Sequence, residues 1–192
     1  MNVPNFLSIV RIILIPVFAV VYLSAPEVAP EAGLWVPQYL LAAGILLFSG
    51  LTDVLDGVIA RRCHQITKLG RILDPVADKL TQATVTVLMA VRNPEWTILP
   101  ILYIGKEVLM LIGGVKLLKM HHDIAPSKWF GKLATAVFYI TMILLIAMPG
   151  LPSWATITAI TLVIVTTVFA FGMYFPLYFK YLQNKNEMQQ KK

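Results

Sequence analysis

Residues 53–78 read DVLDGVIARRCHQITKLGRILDPVAD and hold four of the ten acidic residues in the 192-residue chain. These four are Asp53, Asp56, Asp74 and Asp78, and apolar sequence lies on both sides of the stretch. Carboxylates are unfavourable in or beside a lipid bilayer unless cations or hydrogen-bond donors compensate them. The stretch therefore predicts two membrane helices that meet at an acidic junction.

The composition indicates an integral membrane protein, since 58% of the residues are hydrophobic and 14% are charged. Six apolar segments, each near the roughly 20 residues that cross a bilayer as a helix, are expected at residues 5–24, 38–61, 71–91, 97–119, 129–149 and 154–181. Helices are favoured because a spanning chain must satisfy its own backbone hydrogen bonds. We predict an all-α bundle of six transmembrane helices over residues 1–183 and a frayed polar tail over residues 184–192.

Basic residues orient the six predicted spans. The connections at 25–37, 92–96 and 149–153 contain a single basic residue, Arg92. The opposite side carries a much larger set: Arg61, Arg62, Lys68, Arg71, Lys116, Lys119, Lys128, Lys132, Lys180, Lys185, Lys191 and Lys192. Since basic residues are enriched in cytoplasmic connections, we expect both termini, the tail and the acidic junction at the cytoplasmic face of the cell membrane. The opposite orientation is the alternative.

The net charge of +6 does not indicate a nucleic-acid partner. Most basic residues flank apolar segments, as in membrane topology signals, and no basic surface interleaved with aromatic residues is present in the sequence. The one cysteine, Cys63, excludes an intrachain disulfide and a thiolate metal cage. The expected partners are therefore lipids and small molecules.

The spacing of the four aspartates predicts a metal site. Asp53 and Asp56 are three residues apart and Asp74 and Asp78 are four apart, so each pair shares one helix face. The two helices are joined by a short connection and are expected to pack antiparallel, which brings the four carboxylates together. Clustered carboxylates need cations, and oxygen ligands select ions such as Mg²⁺ or Mn²⁺. Two such ions are a known arrangement for phosphate chemistry.

Small residues and an arginine follow the first aspartate pair. Gly57 and Ala60 leave a shallow groove on the helix, and Arg61 has a fork-shaped donor suited to phosphate. Thr67 offers a hydroxyl, and Gly70 permits a close approach before the next helix. The alternative is that the small residues serve only helix packing.

Taken together, the pattern Asp-x2-Asp-Gly-x2-Ala-Arg-x8-Gly-x3-Asp-x3-Asp closely resembles the signature of the CDP-alcohol phosphotransferase family, also called CDP-alcohol phosphatidyltransferases. These are six-helix membrane enzymes that make phospholipids. The opening Asn-x-Pro-Asn-x-Leu-Ser-x2-Arg at residues 2–11 and the Gly-Lys-x2-Thr at residues 131–135 are similar to the bacterial branch with phosphatidylglycerophosphate and cardiolipin synthases.

The resemblance implies roles for individual residues. Asp53, Asp56, Asp74 and Asp78 would bind two divalent metal ions, Mg²⁺ or Mn²⁺, and Asp78 would also act as general base. The CDP-lipid would be bound by Asn5, Gly57, Ala60, Arg61, Thr67 and Gly70. The implied reaction is attack of an acceptor hydroxyl on the β-phosphorus of CDP-diacylglycerol with release of CMP. A homodimer is also implied, because family members are often homodimers.

The acceptor site is expected among the remaining basic residues: Arg11, Lys106, Lys116 and Lys132. The phosphatidylglycerophosphate synthases are expected to carry an Arg-Glu pair where this chain has Lys106-Glu107, and lysine lacks the bidentate fork of arginine. Glycerol 3-phosphate is the first choice of acceptor, with phosphatidylglycerol or another small alcohol as alternatives. Arg11 has the alternative of extending to the lipid headgroups. Lys106 and Glu107 are adjacent in a helix, so they need not pair with each other. The alternative to substrate contact is that one of them forms a structural ion pair with a residue of another helix.

Two interpretations from other functional classes are alternatives to a phospholipid-synthesising enzyme. A cation transporter also uses carboxylates in membrane helices, but it does not explain Gly57, Ala60 and Arg61 at their spacings. A structural membrane protein would pair the aspartates with arginines of the junction, yet it gives no reason to bring four acids together.

Overall fold

The computed structural model describes residues 3–26, 36–62, 70–119 and 129–190, with side chains at 6–26, 36–55, 70, 73–110 and 129–174. Within these ranges the chain is all-helical, which confirms the predicted class. The helices are α1 (Val3–Ser24), α2 (Pro37–Arg62), α3 (Gly70–Arg92), a short 3-10 helix (Pro94–Trp96), α4 (Ile98–Lys119), α5 (Trp129–Ala147) and α6 (Ser153–Gln190). Each predicted apolar segment corresponds to one of the long helices.

Prolines mark several of the helix ends. Pro37 is the first residue of α2, where the missing N–H of proline removes no helical hydrogen bond. α1 ends at Ser24, two residues before Pro26, because proline disfavours a helical conformation in the residue that precedes it. Pro152 directly precedes Ser153, the start of α6, and its carbonyl accepts the first backbone hydrogen bonds of that helix.

The C-terminal end of α6 differs from the prediction. The predicted apolar segment ends at residue 181 and the tail was expected to fray from residue 184, but the helix continues through Gln190. Residues 184–190 read NKNEMQQ and contain good helix formers without glycine or proline. The expectation of a frayed tail is therefore wrong for these residues. The domain boundary at residue 183 stays a prediction, and residues 191–192 lie outside the described chain.

Among the residues that the structure describes, four stretches of helix are long and apolar enough to cross a membrane: Phe6–Ser24, Pro37–Leu55, Trp129–Ala147 and Ser153–Tyr174. The chain is therefore a multi-pass membrane protein. α3 carries Asp74, Asp78 and Lys79 within its first ten residues, more charge than an ordinary lipid-facing helix tolerates. The side chains of α4 are described only as far as Met110. The count of six spans stays a prediction.

The six helices form a ring in the order α4, α3, α1, α2, α5 and α6, and α4 meets α6 only lightly where the ring closes. Both α2 and α3 pack against α1, and in the described part of the chain they do not form a close pair with each other. The predicted antiparallel pairing of α2 and α3 is therefore wrong. The physical reason is that buried polar side chains of α1, Ser8 and Arg11, engage both helices.

The interior of the ring differs at its two ends. At the packed end, where α1, α3 and α5 end, buried apolar side chains fill the space; they include Phe18, Tyr22, Tyr39, Leu46, Met89, Leu99, Phe138 and Met142. At the cavity end, where α2 ends and α3 begins, the helices line a large cavity. The predicted acidic junction belongs to the cavity end.

Arg92, the last residue of α3, ties three helices together at the packed end. Its guanidinium donates to the backbone carbonyls of Leu23 at 2.9 Å and Ala25 at 2.5 Å, and also to the hydroxyl of Tyr39. It also lies over the rings of Tyr22 and Tyr39, at 5.2 and 5.5 Å from their centroids. A cation at a helix C-terminus satisfies carbonyls that have no helical partner. Arg92 thus joins the end of α1 and the start of α2 to α3.

Candidate active site

A cavity of about 840 Å³ occupies the cavity end, between α2, α3, α4, α5 and α6. A volume of this size is in the range of sites for drug-sized ligands. Its walls carry a dense set of charged side chains: Asp53, Asp74, Asp78, Lys79, Lys106, Glu107 and Lys132. Three of the four predicted metal-binding aspartates therefore face the same space as two of the four predicted acceptor-binding residues.

Asp53 is held by an arginine from α1. Nη1 of Arg11 lies 2.5 Å from Oδ1 of Asp53. The Arg11 side chain is fully buried, whereas 39% of the Asp53 side chain is exposed. A buried guanidinium needs a charged partner, so the alternative that Arg11 extends to the lipid headgroups is wrong. Arg11 also does not line the cavity, which argues against the predicted contact with the acceptor.

Asp74 is held by the same face of α1. The hydroxyl of Ser8, which is fully buried, donates to Oδ1 of Asp74. Ser8 and Arg11 are three residues apart, so they lie on one face of α1 and reach α3 and α2 respectively. In the sequence, Ser8 is part of the pattern at residues 2–11, and no role was predicted for it. The i, i+3 spacing of two polar residues in an apolar helix was the available signal.

Asp78 accepts a hydrogen bond at each carboxylate oxygen. The hydroxyl of Tyr139, from α5, donates to Oδ1 at 3.1 Å. The side-chain amide of Gln82, one turn later in α3, donates to Oδ2 at 3.0 Å. Neither residue was among the predicted site residues. The i, i+4 spacing of Asp78 and Gln82 was a weak signal for one of them, and Tyr139 lies in an apolar run that gives no signal.

The described carboxylates line one cavity but do not converge on a single point. Among the side chains that the structure describes, no group of three or more potential ligands forms a metal site. Asp56, the fourth predicted ligand, lies in α2 with its side chain outside the described set. The donor chemistry fits hard divalent ions, because the aspartates supply oxygen atoms only. The predicted ligand set therefore stays a proposal.

The cavity lining also carries an ion-pair network between α3 and α4. Lys79 from α3 contacts Oε2 of Glu107, and Nζ of Lys106 lies 3.0 Å from Oε1 of the same carboxylate. Lys106 also lies over the ring of Tyr103, 4.9 Å from its centroid. The alternative of a structural pair between helices is thus confirmed for Lys79 and Glu107. Lys106 and Glu107, which as adjacent helix residues need not pair, do pair in this structure, and both side chains line the cavity.

The start of α5 brings Lys132 to the cavity, where the side chain is exposed. Gly131 beside it permits a close contact with α6, since a Cβ atom there would lie 2.8 Å from the hydroxyl oxygen of Tyr174. Phe130 packs edge-on against the same ring, with the centroids 4.8 Å apart. The glycine thus lets α6 close over the first turn of α5 beside the exposed lysine.

The remaining predicted residues are placed only in part. Gly70 is buried and is the first residue of α3. Several others lie in described helices with side chains that are not described: Asn5 in α1, Gly57, Ala60 and Arg61 in α2, and Lys116 in α4. Thr67 lies outside the described residues. The predicted contacts of these residues with the CDP-lipid or acceptor stay predictions.

Comparison with known proteins gives the family. A family model described as CDP-alcohol phosphatidyltransferase matches residues 1–172. A Pseudomonas fluorescens protein named CDP-diacylglycerol–glycerol-3-phosphate 3-phosphatidyltransferase is 37% identical over 112 residues, which span 57% of this chain but only 53% of its own. A Salmonella typhimurium protein of the same name is 33% identical over 171 residues, 87% of each chain.

A further relative carries a different name. A Mycobacterium tuberculosis protein, provisionally named a cardiolipin synthase, is 36% identical over 143 residues, which cover 73% of this chain and 62% of its own. Relatives with two different names thus match at comparable identity, and the family model covers most of the sequence. The chain belongs to the CDP-alcohol phosphatidyltransferase family.

Proposed function

We propose that this protein transfers the phosphatidyl group of CDP-diacylglycerol to glycerol 3-phosphate, which forms phosphatidylglycerophosphate and CMP. The observation that carries the proposal is the single cavity that joins three aspartates to a wall with Lys79, Lys106 and Lys132. The aspartates suit a metal-bound diphosphate, and the lysines suit a second anionic group. The names of the Pseudomonas and Salmonella relatives support this acceptor.

The resident cofactors are proposed to be two divalent ions, Mg²⁺ or Mn²⁺, held by Asp53, Asp56, Asp74 and Asp78. Such ions would neutralise the diphosphate and stabilise the attacking and leaving oxygens. Asp53 and Asp74 are oriented for this task, since Arg11 and Ser8 each contact one carboxylate oxygen, Oδ1, of their aspartate.

The chain's own residues then act on the two substrates. The acceptor oxygen forms a bond to the β-phosphorus, the bond from that phosphorus to CMP breaks, and Asp78 accepts the hydroxyl proton. The CDP-lipid is proposed to lie along the end of α2 and the start of α3, against Asn5, Gly57, Ala60, Arg61, Thr67 and Gly70. The acceptor phosphate is proposed to lie against Lys106, Lys116 and Lys132, and Lys79 also lines the cavity. Arg11 is assigned to Asp53 instead of to the acceptor.

We place the reaction at the cytoplasmic face of the cell membrane, with six spans and both ends of the chain in the cytoplasm. The alternation of basic residues between the predicted connections supports this orientation. At such a site the water-soluble nucleotide part of the CDP-lipid lies on the cytoplasmic side, where CMP is released, while the acyl chains stay in the lipid. The polar end of α6 would then lie in the cytoplasm. A homodimer is proposed from the family resemblance alone.

Phosphatidylglycerol is the second candidate acceptor. The observation that favours it is the α2 and α5 wall of the cavity, where exposed apolar side chains such as Leu47, Leu51 and Ile140 continue to the helix surface. A diacyl acceptor needs such a path between helices, whereas glycerol 3-phosphate does not. The Mycobacterium relative has a name of this kind. The cation-transporter alternative has lost its support, since the family is one of transferases.

An acceptor screen tests the proposal. Purified protein with CDP-diacylglycerol and Mn²⁺ or Mg²⁺ is supplied in turn with glycerol 3-phosphate, phosphatidylglycerol, serine and inositol phosphate, and CMP release is measured. Glycerol 3-phosphate is expected to give the fastest release, and a chelator or Asp74→Asn should abolish it. Release with phosphatidylglycerol alone would replace the proposed acceptor, and release without any added metal would contradict the proposed cofactors.

A further inference from the structure

Asp78 is the described aspartate of the cavity that accepts hydrogen bonds at both carboxylate oxygens, one from α5 and one from its own helix. Tyr139 donates to Oδ1 and Gln82 donates to Oδ2. Both donors are uncharged. Asp53, by contrast, is paired with a guanidinium. These two hydrogen bonds therefore restrict the orientation of the Asp78 carboxylate.

The ring of Tyr139, a residue of α5, packs against α2. A Cβ atom at Gly50 would lie 3.4 Å from Cδ1 and 3.7 Å from Cε1 of this ring, so the ring rests directly against the helix backbone. Only 9% of Tyr139 is exposed, and its ring belongs to the apolar cluster of the packed end. The hydroxyl therefore extends from a rigid apolar support to the edge of the cavity.

Gln82 is similarly restrained. It is 5% exposed and also lines the cavity. Its amide follows Asp78 by one helical turn, so the two side chains stack along the same face of α3. An ionised carboxylate has about four acceptor directions, two on each oxygen. The bonds from Tyr139 and Gln82 use one direction on each oxygen, and a substrate hydroxyl or a metal ion can take the others.

We infer that Tyr139 and Gln82 are positioning residues for Asp78, which together fix the carboxylate at the angle at which it receives the acceptor proton. The inference rests on the proposed base role of Asp78. Correct orientation matters because displacement of a reacting group by about 1 Å can lower the rate about a hundredfold. Tyr139 also lies on the face of α5 that carries Lys132, seven residues earlier, and both residues line the cavity. One helix thus carries a proposed acceptor contact and the support of the base.

The test compares two tyrosine-to-phenylalanine variants. Tyr139→Phe removes the hydroxyl and keeps the ring against Gly50. Tyr39→Phe is the matched control, since its hydroxyl contacts Arg92 and the Pro26 carbonyl at the packed end. We expect Tyr139→Phe to lower kcat for CMP release by about tenfold or more while the KM values for both substrates stay within about twofold. Tyr39→Phe should lower the thermal unfolding temperature and keep parental kcat.

Gln82→Met is the second variant, because it removes the amide and keeps a flexible side chain of similar length. Like Tyr139→Phe, it should lower kcat and leave the KM values for both substrates at the parental level. Parental kcat in either Tyr139→Phe or Gln82→Met overturns the inference. A raised KM for the acceptor at parental kcat also overturns it, since the lost group would then contact substrate and not orient Asp78.

Asp78→Asn separates this inference from the proposed function. If Asp78→Asn keeps parental turnover, the proposed base role has failed. If Asp78→Asn is inactive while Tyr139→Phe or Gln82→Met turns over at the parental rate, the base role stands and the positioning inference has failed. The unfolding temperature of each variant, measured in the same detergent, identifies losses that come from folding.

Discussion

Each end of the bundle contains an arginine tied to several helices, but the partners of the two arginines differ. Arg92 at the packed end donates to backbone carbonyls and a tyrosine hydroxyl and lies over two aromatic rings. Arg11 at the cavity end is fully buried and pairs with the carboxylate of Asp53. The partners of Arg92 are groups that helix ends and aromatic residues offer in any membrane bundle. The partner of Arg11 is a proposed metal ligand.

The comparison shows that arginine can stabilise the fold at one end of the bundle and orient a proposed metal ligand at the other. At the packed end, polar groups are satisfied by the chain itself and apolar side chains fill the remaining space. At the cavity end, each described aspartate has a protein donor, yet a volume of about 840 Å³ stays open beside it. Substitutions of the same kind at the two ends should therefore separate effects on rate from effects on stability.

The largest expected effect on the rate is that of Asp78→Asn. Loss of the proposed base should lower CMP release by about a hundredfold or more, while binding of CDP-diacylglycerol, measured separately, is largely kept. The matched control is Glu95→Gln, an exposed acid beside the packed end, which should keep the parental rate. Undiminished turnover of Asp78→Asn would exclude the base role.

The two arginines test the comparison directly. Arg11→Met should lower the rate of CMP release by about tenfold to a hundredfold, since partners that orient metal ligands have effects of this size. Arg92→Met should keep the rate and lower the free energy of unfolding by about 2 kcal/mol, because several hydrogen bonds are lost together. CMP release and thermal unfolding in detergent measure the two quantities. Equal losses of rate in both variants would remove the distinction between the ends.

Lys132→Ala should raise the KM for glycerol 3-phosphate by about tenfold, as expected when one charged contact worth about 1.4 kcal/mol is lost. The KM for the CDP-lipid and the unfolding temperature should stay near parental values, because the side chain is exposed and is not part of the packed end. Lys132→Arg keeps the charge and serves as the control. An equal rise in KM for both substrates, or none, speaks against the acceptor role.

The long apolar runs and the placement of charges were enough to predict the helices and the polar end of the bundle. The apolar runs mark the membrane helices because a spanning backbone has few alternatives to helix. The aspartates of residues 53–78 were recognisable because their charge is anomalous in such a sequence. The tail was misjudged for the converse reason: residues 184–190 are polar, but polarity does not prevent a helix that has no glycine or proline.

The supports of the aspartates were not predictable in the same way. Ser8 and Tyr139 are ordinary members of apolar helices, and their roles depend on which residue the folded chain places opposite them. From the sequence, Arg92 was interpreted only as a basic residue in a connection. In the structure it lies next to the end of α1 and donates hydrogen bonds to carbonyls there. Local patterns thus identify residues whose chemistry is unusual for a membrane. Hydrogen bonds between distant helices need the tertiary structure.

The smallest expected effect compares two serines of α1, one at each end of the bundle. Ser8→Ala removes the donor to Asp74, and Ser24→Ala removes a donor to the Val20 carbonyl, 2.6 Å away on the exposed surface. Since one hydrogen bond contributes about 1 kcal/mol, Ser8→Ala should raise the Mn²⁺ concentration for half-maximal activity by about fivefold. Ser24→Ala should leave that concentration unchanged.

The metal dependence is the informative measurement, because a role of Ser8 in packing alone would change stability without changing the affinity for Mn²⁺. Parental Mn²⁺ dependence in Ser8→Ala, together with a lower unfolding temperature, would make Ser8 equivalent to the residues of the packed end. The functional contribution of α1 would then reduce to Arg11 and Asp53. The predicted shift would instead extend it to Asp74, so that one face of α1 orients a proposed metal ligand on each of two helices.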